Sequence, residues 1–352
     1  ATRGSITLND ASVALSGTAA DITSALAGIS GYTGALTASG TQTGSAGVAV
    51  VNALGVATSG VVTATVSGTA AELASLTTAG TDMLAVTVSN AHTLGQLKAI
   101  NNATGSQITL NSLSVALSGT SADVAAALDG GLLVSASASG YTGDVSLTDV
   151  HDLPQLKTIN AGTSGSISLF SNTVALSGLA ADITTALTGI SGYSGAVTAT
   201  DTQTGSTGVT AVKALGAATG GVVTATVNGT AAELALLGTA ATDLIAVTLT
   251  DAHTLAQLKA INNATGGAIT LSDASVLLSG TAADITAALA GISGYTGAVT
   301  ASGTQTGAAG VTAVNALSAA TTGVVTAAVS GSVAELSALT TASTDMIAVT
   351  LS

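Results

Sequence analysis

Cysteine and tryptophan are absent from these 352 residues, proline and phenylalanine occur once each, and tyrosine occurs four times. Without Cys there is no disulfide, no thiolate nucleophile and no Cys-ligated zinc. Without large aromatic side chains the core must be assembled from Ala, Val, Leu and Ile, which suits thin, similar layers better than one large irregular core. Charge is scarce too. Asp, Glu, Lys and Arg make up 7% of the chain, against roughly 25% in an ordinary soluble domain. Arg3, Lys98, Lys157, Lys213 and Lys259 are the whole basic complement, scattered along a chain of net charge −13. Neither nucleic acid nor an anionic membrane surface is therefore an expected partner. Thr, Ser, Gly or a charge interrupts each apolar run well before membrane-spanning length, so no membrane insertion is expected. No basic-then-apolar leader opens the text, which reads as a mature chain, an internal fragment or a protein exported without a cleaved signal.

What is abundant is repetition. GVVTATVSGTAAELASL at 60–76 returns as GVVTATVNGTAAELALL at 221–237 and as GVVTAAVSGSVAELSAL at 323–339, the last two starting 102 residues apart. Self-similarity at a fixed period predicts a solenoid. Within the repeats, short strand-like stretches put Ser or Thr at one position: Ser12, Thr37, Thr63, Thr87, Ser114, Ser146, Thr173, Thr198, Thr224, Thr248, Ser275, Thr300, Thr326 and Thr350. Their neighbours are almost all apolar, as with Leu36 and Ala38 or Val86 and Val88. Period-two alternation sends the hydroxyls to one face and the apolar side chains to the other, so an exposed ladder of fourteen hydroxyl rungs is expected. Steps from Ser12 to Ser114 are 25, 26, 24 and 27 residues; Ser114 then steps 32 to Ser146 and 27 to Thr173. The second copy thus reads as shortened, with GLLVSASASGYTG at 131–143 an irregular connection. The expected organisation is a single solenoid of copies 1–105, 106–165 (shortened), 166–266 and 267–352 (incomplete). An ITL or ISL run beginning at Ile6, Ile108, Ile167 and Ile269 precedes the first strand of each copy, as an extra strand or a bulged extension.

Each strand is followed by a helix signal. Thr18 with Asp21, Thr69 with Glu72, Thr120 with Asp123, Thr230 with Glu233, Thr281 with Asp284 and Ser332 with Glu335 have the three-residue spacing of a capping box. Thr93 with Gln96 and Thr254 with Gln257 repeat it, and Asp152 caps HDLPQL with Pro154 in the first turn. Leu179 occupies the cap position in SGLAADI, which predicts a frayed helix start. Gly-rich text such as NNATG then turns the chain back. The predicted fold is α/β: a right-handed β/α solenoid with one long parallel sheet and short capped helices on one face, in units of about 24–27 residues within 102-residue super-repeats.

TGVVTATVSGTAAELASL, AHTLAQLKAIN and GYTGAVTASGTQTG resemble, in style and composition, the repeat arrays of very large cell-surface proteins and adhesins of aquatic bacteria, cyanobacteria especially. The resemblance covers nearly the whole chain. It implies an extracellular or cell-surface structural or adhesive role and carries no functional residue over.

The chemistry-bearing residues read as structural. His92, His151 and His253 each sit just before a helix cap, at most once per copy, with no second His or Cys nearby, and are expected to be turn residues. Asp82, Asp243 and Asp345 recur in turns where calcium is conceivable, yet no EF-hand loop or GGxGxD nonapeptide is present, so no cofactor is expected beyond that option. Tyr32, Tyr141, Tyr193 and Tyr295 recur in GY[TS]G turns and are expected at layer edges. No GxSxG, P-loop or dinucleotide fingerprint occurs and no nucleophile has a base beside it, so no enzyme is expected. Neither terminus carries a polar capping repeat, which predicts self-association head to tail or continuation of a longer array. The function so read is a non-enzymatic structural repeat of a bacterial cell surface or extracellular filament. The alternative is an adhesin or ice-binding solenoid that uses the hydroxyl face.

Overall fold

The computed structural model describes residues 6–131, 133–134 and 140–352. They form two compact units, one within residues 6–174 with 185–191 and the other of 175–184 with 192–352. Strands and short helices alternate, and every strand pairing is parallel, as the periodicity predicts.

In the first unit a six-stranded sheet runs in the order Leu15–Thr18, Leu36–Thr43, Val62–Gly68, Met83–Val88, Ile108–Thr109, Leu133–Val134. A three-stranded sheet contains Leu117–Gly119, Val145–Leu147 and Ile167–Ser168. The second unit has five strands in the order Leu176–Gly178, Val197–Thr204, Val223–Gly229, Leu244–Leu249, Ile269–Thr270. Its other sheet runs Leu278–Gly280, Val299–Thr306, Val325–Gly331, Met346–Leu351.

The single long sheet of the sequence reading is thus divided, and the ITL segments are where it divides. Those at Ile108, Ile167 and Ile269 are true strands, whereas Ile6–Leu8 forms none. Val247 and Thr248 pair with Ile269 and Thr270, but Val299 and Thr300 of the next layer pair with Leu278 and Ser279 further along the same extended segment. One layer bonds backward through its first half and forward through its second. Ile108–Thr109 and Leu117–Gly119 divide the labour in the same way. Leu133–Val134, inside the connection read as irregular, pairs with Ile108–Thr109; residues 132 and 135–139 of that stretch lie outside the described ones. Arg3 also lies outside them.

Side-chain alternation holds where it decides burial. Leu36, Ala38, Val62, Ala64, Val66, Leu84, Val86 and Val88 are buried, while Thr37, Thr63 and Thr87 between them are exposed. The 14-residue helix Gly44–Ala57 covers the buried side of Leu36–Thr43 and Val62–Gly68 through Val48, Val51 and Leu54. Gly205–Ala218 and Gly307–Ala320 repeat that packing in the second unit. Tyr32, Tyr141, Tyr193 and Tyr295 are buried in the core, not spread over layer edges. Among the described residues no helix is long and apolar enough to cross a membrane.

Helix starts follow the three-residue spacing. Glu72, Gln96, Gln155, Glu233, Gln257 and Glu335 complete reciprocal capping boxes with Thr69, Thr93, Asp152, Thr230, Thr254 and Ser332. At Thr18, Thr120 and Thr281 the hydroxyl accepts the third amide, but the shorter Asp does not reach back to the cap amide. The helix Ala180–Leu187 corrects the expected fraying. Its first turn closes with Ile183 N donating to Leu179 O at 3.0 Å. Ala180 N donates to Asp201 Oδ1 on the neighbouring strand at 2.9 Å. Asp201 stands where the equivalent strands carry Gly40 and Gly303, so the cap lost at Leu179 reappears one layer away.

Candidate functional site

The hydroxyl face was the candidate, and its rungs are staggered. Thr37 lies opposite Thr63, but Thr63 lies opposite Met83, and Thr87 lies opposite Ser67. The stagger lies in the uninterrupted register of Val62–Gly68 against Met83–Val88; the earlier strand Leu36–Thr43 adds a bulge, with Thr37 opposite Thr63 but Thr41 opposite Thr65, so it carries two extra residues around Gly40. The observed columns are Ser16, Thr37, Thr63, Met83 and, further along the strands, Thr43, Ser67, Thr87, Thr109. The second unit repeats them: Ser177, Thr198, Thr224, Leu244, with Thr204, Asn228, Thr248, Thr270. Its other sheet has Ser279, Thr300, Thr326, Met346, with Thr306, Ser330, Thr350. Ser146 pairs with Ser118 and Ser168.

Four rungs are corrected outright: Ser12, Ser114, Thr173 and Ser275 precede their strands, and Ser16, Ser118, Ser177 and Ser279 hold the paired positions. The displaced residues sit in tight turns. Asp10 accepts from Ser12 N at 2.8 Å and Ser12 Oγ at 2.6 Å, and Asp273 does the same for Ser275. Carbonyls just beyond are taken by the GY[TS]G turn. Thr33 N and Gly34 N donate to Ala11 O, and Tyr32 Oη donates to Val13 O, so pairing with the next strand starts only at Leu15.

Polar side chains elsewhere are spent on bonds between layers. Asp82 is buried. Its Oδ1 accepts Val62 N from the preceding strand at 2.7 Å, and its Oδ2 accepts Ala79 N at 2.9 Å. Asp243 repeats this with Val223 N and Ala240 N, and Asp345 with Val325 N and Ala342 N. The carboxylates weighed as calcium ligands are thus engaged by amides. Asn90, Asp149 and Asp251 each cap the first helical amide of the preceding layer, at Ala70, Ser121 and Ala231, all at 2.7 Å.

Two further sets escaped the sequence reading. Thr58, Thr104, Thr163, Thr219, Thr265 and Thr321 are buried, and each hydroxyl donates to a carbonyl about one layer back, at 2.6–2.8 Å. Asn101, Asn160 and Asn262 donate from helix ends to carbonyls of the following layer, Asn101 Nδ2 reaching Ala126 O at 3.0 Å. The signal available was the fixed place of Thr before Gly in turns such as NNATG and ATTG.

His92, His151 and His253 are buried. His92 Nε2 lies 3.0 Å from Tyr141 Oη, which also donates to Val115 O at 2.5 Å. His253 stacks obliquely against Tyr295, ring centroids 6.1 Å apart. Burial holds all three imidazoles below their ordinary pKa; nearby acids, Asp273 and Asp251 for His253 and Asp152 and Asp149 for His151, pull in the opposite direction. Burial also pushes Tyr295 up to about 12. Among the described residues no three His, Cys, Asp or Glu side chains gather as a metal site.

No family model, no curated protein and no solved structure matches this chain. The site's chemistry rests on geometry alone. It comprises a staggered hydroxyl surface over layers held by carboxylate, amide and hydroxyl pins at equal register.

Proposed function

We propose that the chain is a structural repeat module. In this reading its strand–helix layers coil right-handed as a β/α solenoid, in units of about 24–27 residues within 102-residue super-repeats. It serves as spacer or scaffold in a cell-surface or extracellular filament of a bacterium and carries no catalytic centre. The observation that carries this is the employment of the side chains. Asp82, Asp243 and Asp345, or Thr104 and Thr265, make the same interlayer bond in equivalent layers. Pins repeated at one register make each layer a template for the next, which is what an extendable rod requires.

The partner proposed for such layers is another layer of the same kind, in a longer array or in a second copy stacked head to tail. Ice binding has less support, because the exposed side chains Met83, Leu244 and Met346 end the first column in their sheets and the strand register staggers the rest.

Immunogold labelling of intact source cells with antibodies against residues 197–249, together with electron microscopy of the extracted material, tests the reading. Label on the cell exterior along thin continuous structures is expected. Label confined to the cell interior overturns it.

A further inference from the structure

Three equivalent layers differ at one point, and the difference opens a groove. In the first copy Asn52, on the helix Gly44–Ala57, bridges to the following turn: Nδ2 donates to Ser75 O at 2.9 Å and Oδ1 accepts Thr77 N at 2.9 Å. In the last copy Asn315 makes the same pair with Ala338 O at 2.9 Å and Thr340 N at 2.8 Å. The third copy carries Lys213 in place of this Asn and Gly238 in place of the Thr. Gly238 takes φ +56°, a conformation closed to Thr without strain. Among the described residues no side chain bridges from position 213 to the turn at 236–238. Gly238 N and Leu236 O, the counterparts of the bridged groups, have no hydrogen-bond partner among the described residues. A groove of about 490 Å³ lies at this place, lined by Lys213, Gly216, Val222, Gly238, Thr242 and Asp243 among others. Ser318, the counterpart of Gly216 in the last copy, instead places its hydroxyl on Asp345 at 2.8 Å.

We infer that this groove binds a small hydroxy-carboxylate of the sugar-acid class, whose carboxylate and neighbouring hydroxyl replace the missing Asn amide. One carboxylate oxygen accepts Gly238 N–H where the sister layers supply an Asn oxygen. The adjacent hydroxyl donates to Leu236 O where they supply an Asn N–H. The exposed Lys213 neutralises the carboxylate, a charge that the neutral Asn sites have no need of. Among the described residues Lys213 has no acidic partner, unlike Lys98, paired with Asp123 at 2.5 Å, and Lys259, paired with Asp284. Asp243 does not compete for it, since both of its oxygens already accept backbone amides. The volume exceeds a bare carboxylate and leaves room for a pyranose ring against Val222 and the glycine backbone.

The test is an amide NMR titration of the intact, isotope-labelled chain with sodium D-galacturonate, with D-galactose and acetate run in parallel. A saturable shift centred on the Gly238 amide is expected with galacturonate only, and at least about tenfold weaker binding in Lys213→Asn. That variant keeps the fold, because Asn is the residue two sister layers hold there. No saturable shift at tens of millimolar galacturonate, equal affinity for galactose or acetate, or undiminished binding by folded Lys213→Asn would each overturn the assignment.

Discussion

Removing one interlayer pin should unfasten two strands locally. Asp243→Ala is the sharpest perturbation, because the Asp243 carboxylate is 5% exposed and serves two amides, Val223 N at 2.9 Å and Ala240 N at 3.0 Å. Truncation leaves both donors without a partner, and Val223 is itself buried at 1% exposure. An unsatisfied buried donor costs about 1–3 kcal/mol, and Ala240 is exposed so that its amide turns to water, so the loss should come to about 1–3 kcal/mol. Asp243→Asn keeps one acceptor oxygen but turns an N–H₂ toward the second amide, which should cost about half as much. Stacked layers open locally, so the assay is native-state hydrogen exchange at Val223 and Ala240, with Asp82→Ala as an independent replicate at Val62 and Ala79. Faster exchange should be confined to the mutated layer and its neighbours. Unchanged protection at Val223 in a folded Asp243→Ala protein would refute the pin. Calcium-dependent stabilisation of the wild type that vanishes in this variant would show that the carboxylate serves a metal instead.

Three other outcomes follow from the same geometry. Asp201→Gly should loosen the start of the helix Ala180–Leu187 by about 1 kcal/mol, and by much less in a Leu179→Thr background, where the lost cap is restored; additive effects in exchange at Ala180 would break the proposed compensation. Gly297→Ala should destabilise by about 3 kcal/mol, since its new Cβ would lie 2.0 Å from Val276 O, while Gly95→Ala should be neutral or gain up to ~1 kcal/mol, as the equivalent layer carries Ala256; equal urea midpoints for the two would contradict this packing. Burial lowers the folded-state pKa of His92 and His253, so the neutral ring is the form the fold holds. Their contribution is complete above the unfolded value and declines as pH falls below about 6.5, by at most ~1.4 kcal/mol per pH unit for each ring. Urea midpoints measured from neutral pH downward should show this slope, reduced in His253→Leu; a slope the variant leaves intact removes His253 as its source.

Local chemistry was legible in the text, and contacts across layers were not. Which side of a strand is buried follows from alternation along one chain, and the helix starts follow from a hydroxyl three residues before Glu, Gln or Asp. These are short-range properties, and Thr69 with Glu72 or Thr93 with Gln96 needed nothing else. The register between layers had a different origin. Shifting a strand by two or four residues leaves its faces unchanged, so the same alternation is compatible with Ser12 or Ser16 opposite Thr37 and with Thr87 or Met83 opposite Thr63. Local contacts made those choices: the Asp10–Ser12 turn and the Tyr32 bond to Val13 O for the first, and the Asp82 carboxylate on Val62 N, beside the Thr63–Met83 pair, for the second. The same holds for His92 meeting Tyr141, forty-nine residues away, and for the empty bridge at Lys213. The sequence by itself determined layers, faces and caps, because those depend on neighbours two to four residues apart. Only the tertiary structure decided which layers align, where the sheets divide and where a polar group meets its partner, because those depend on the path the backbone takes between strands.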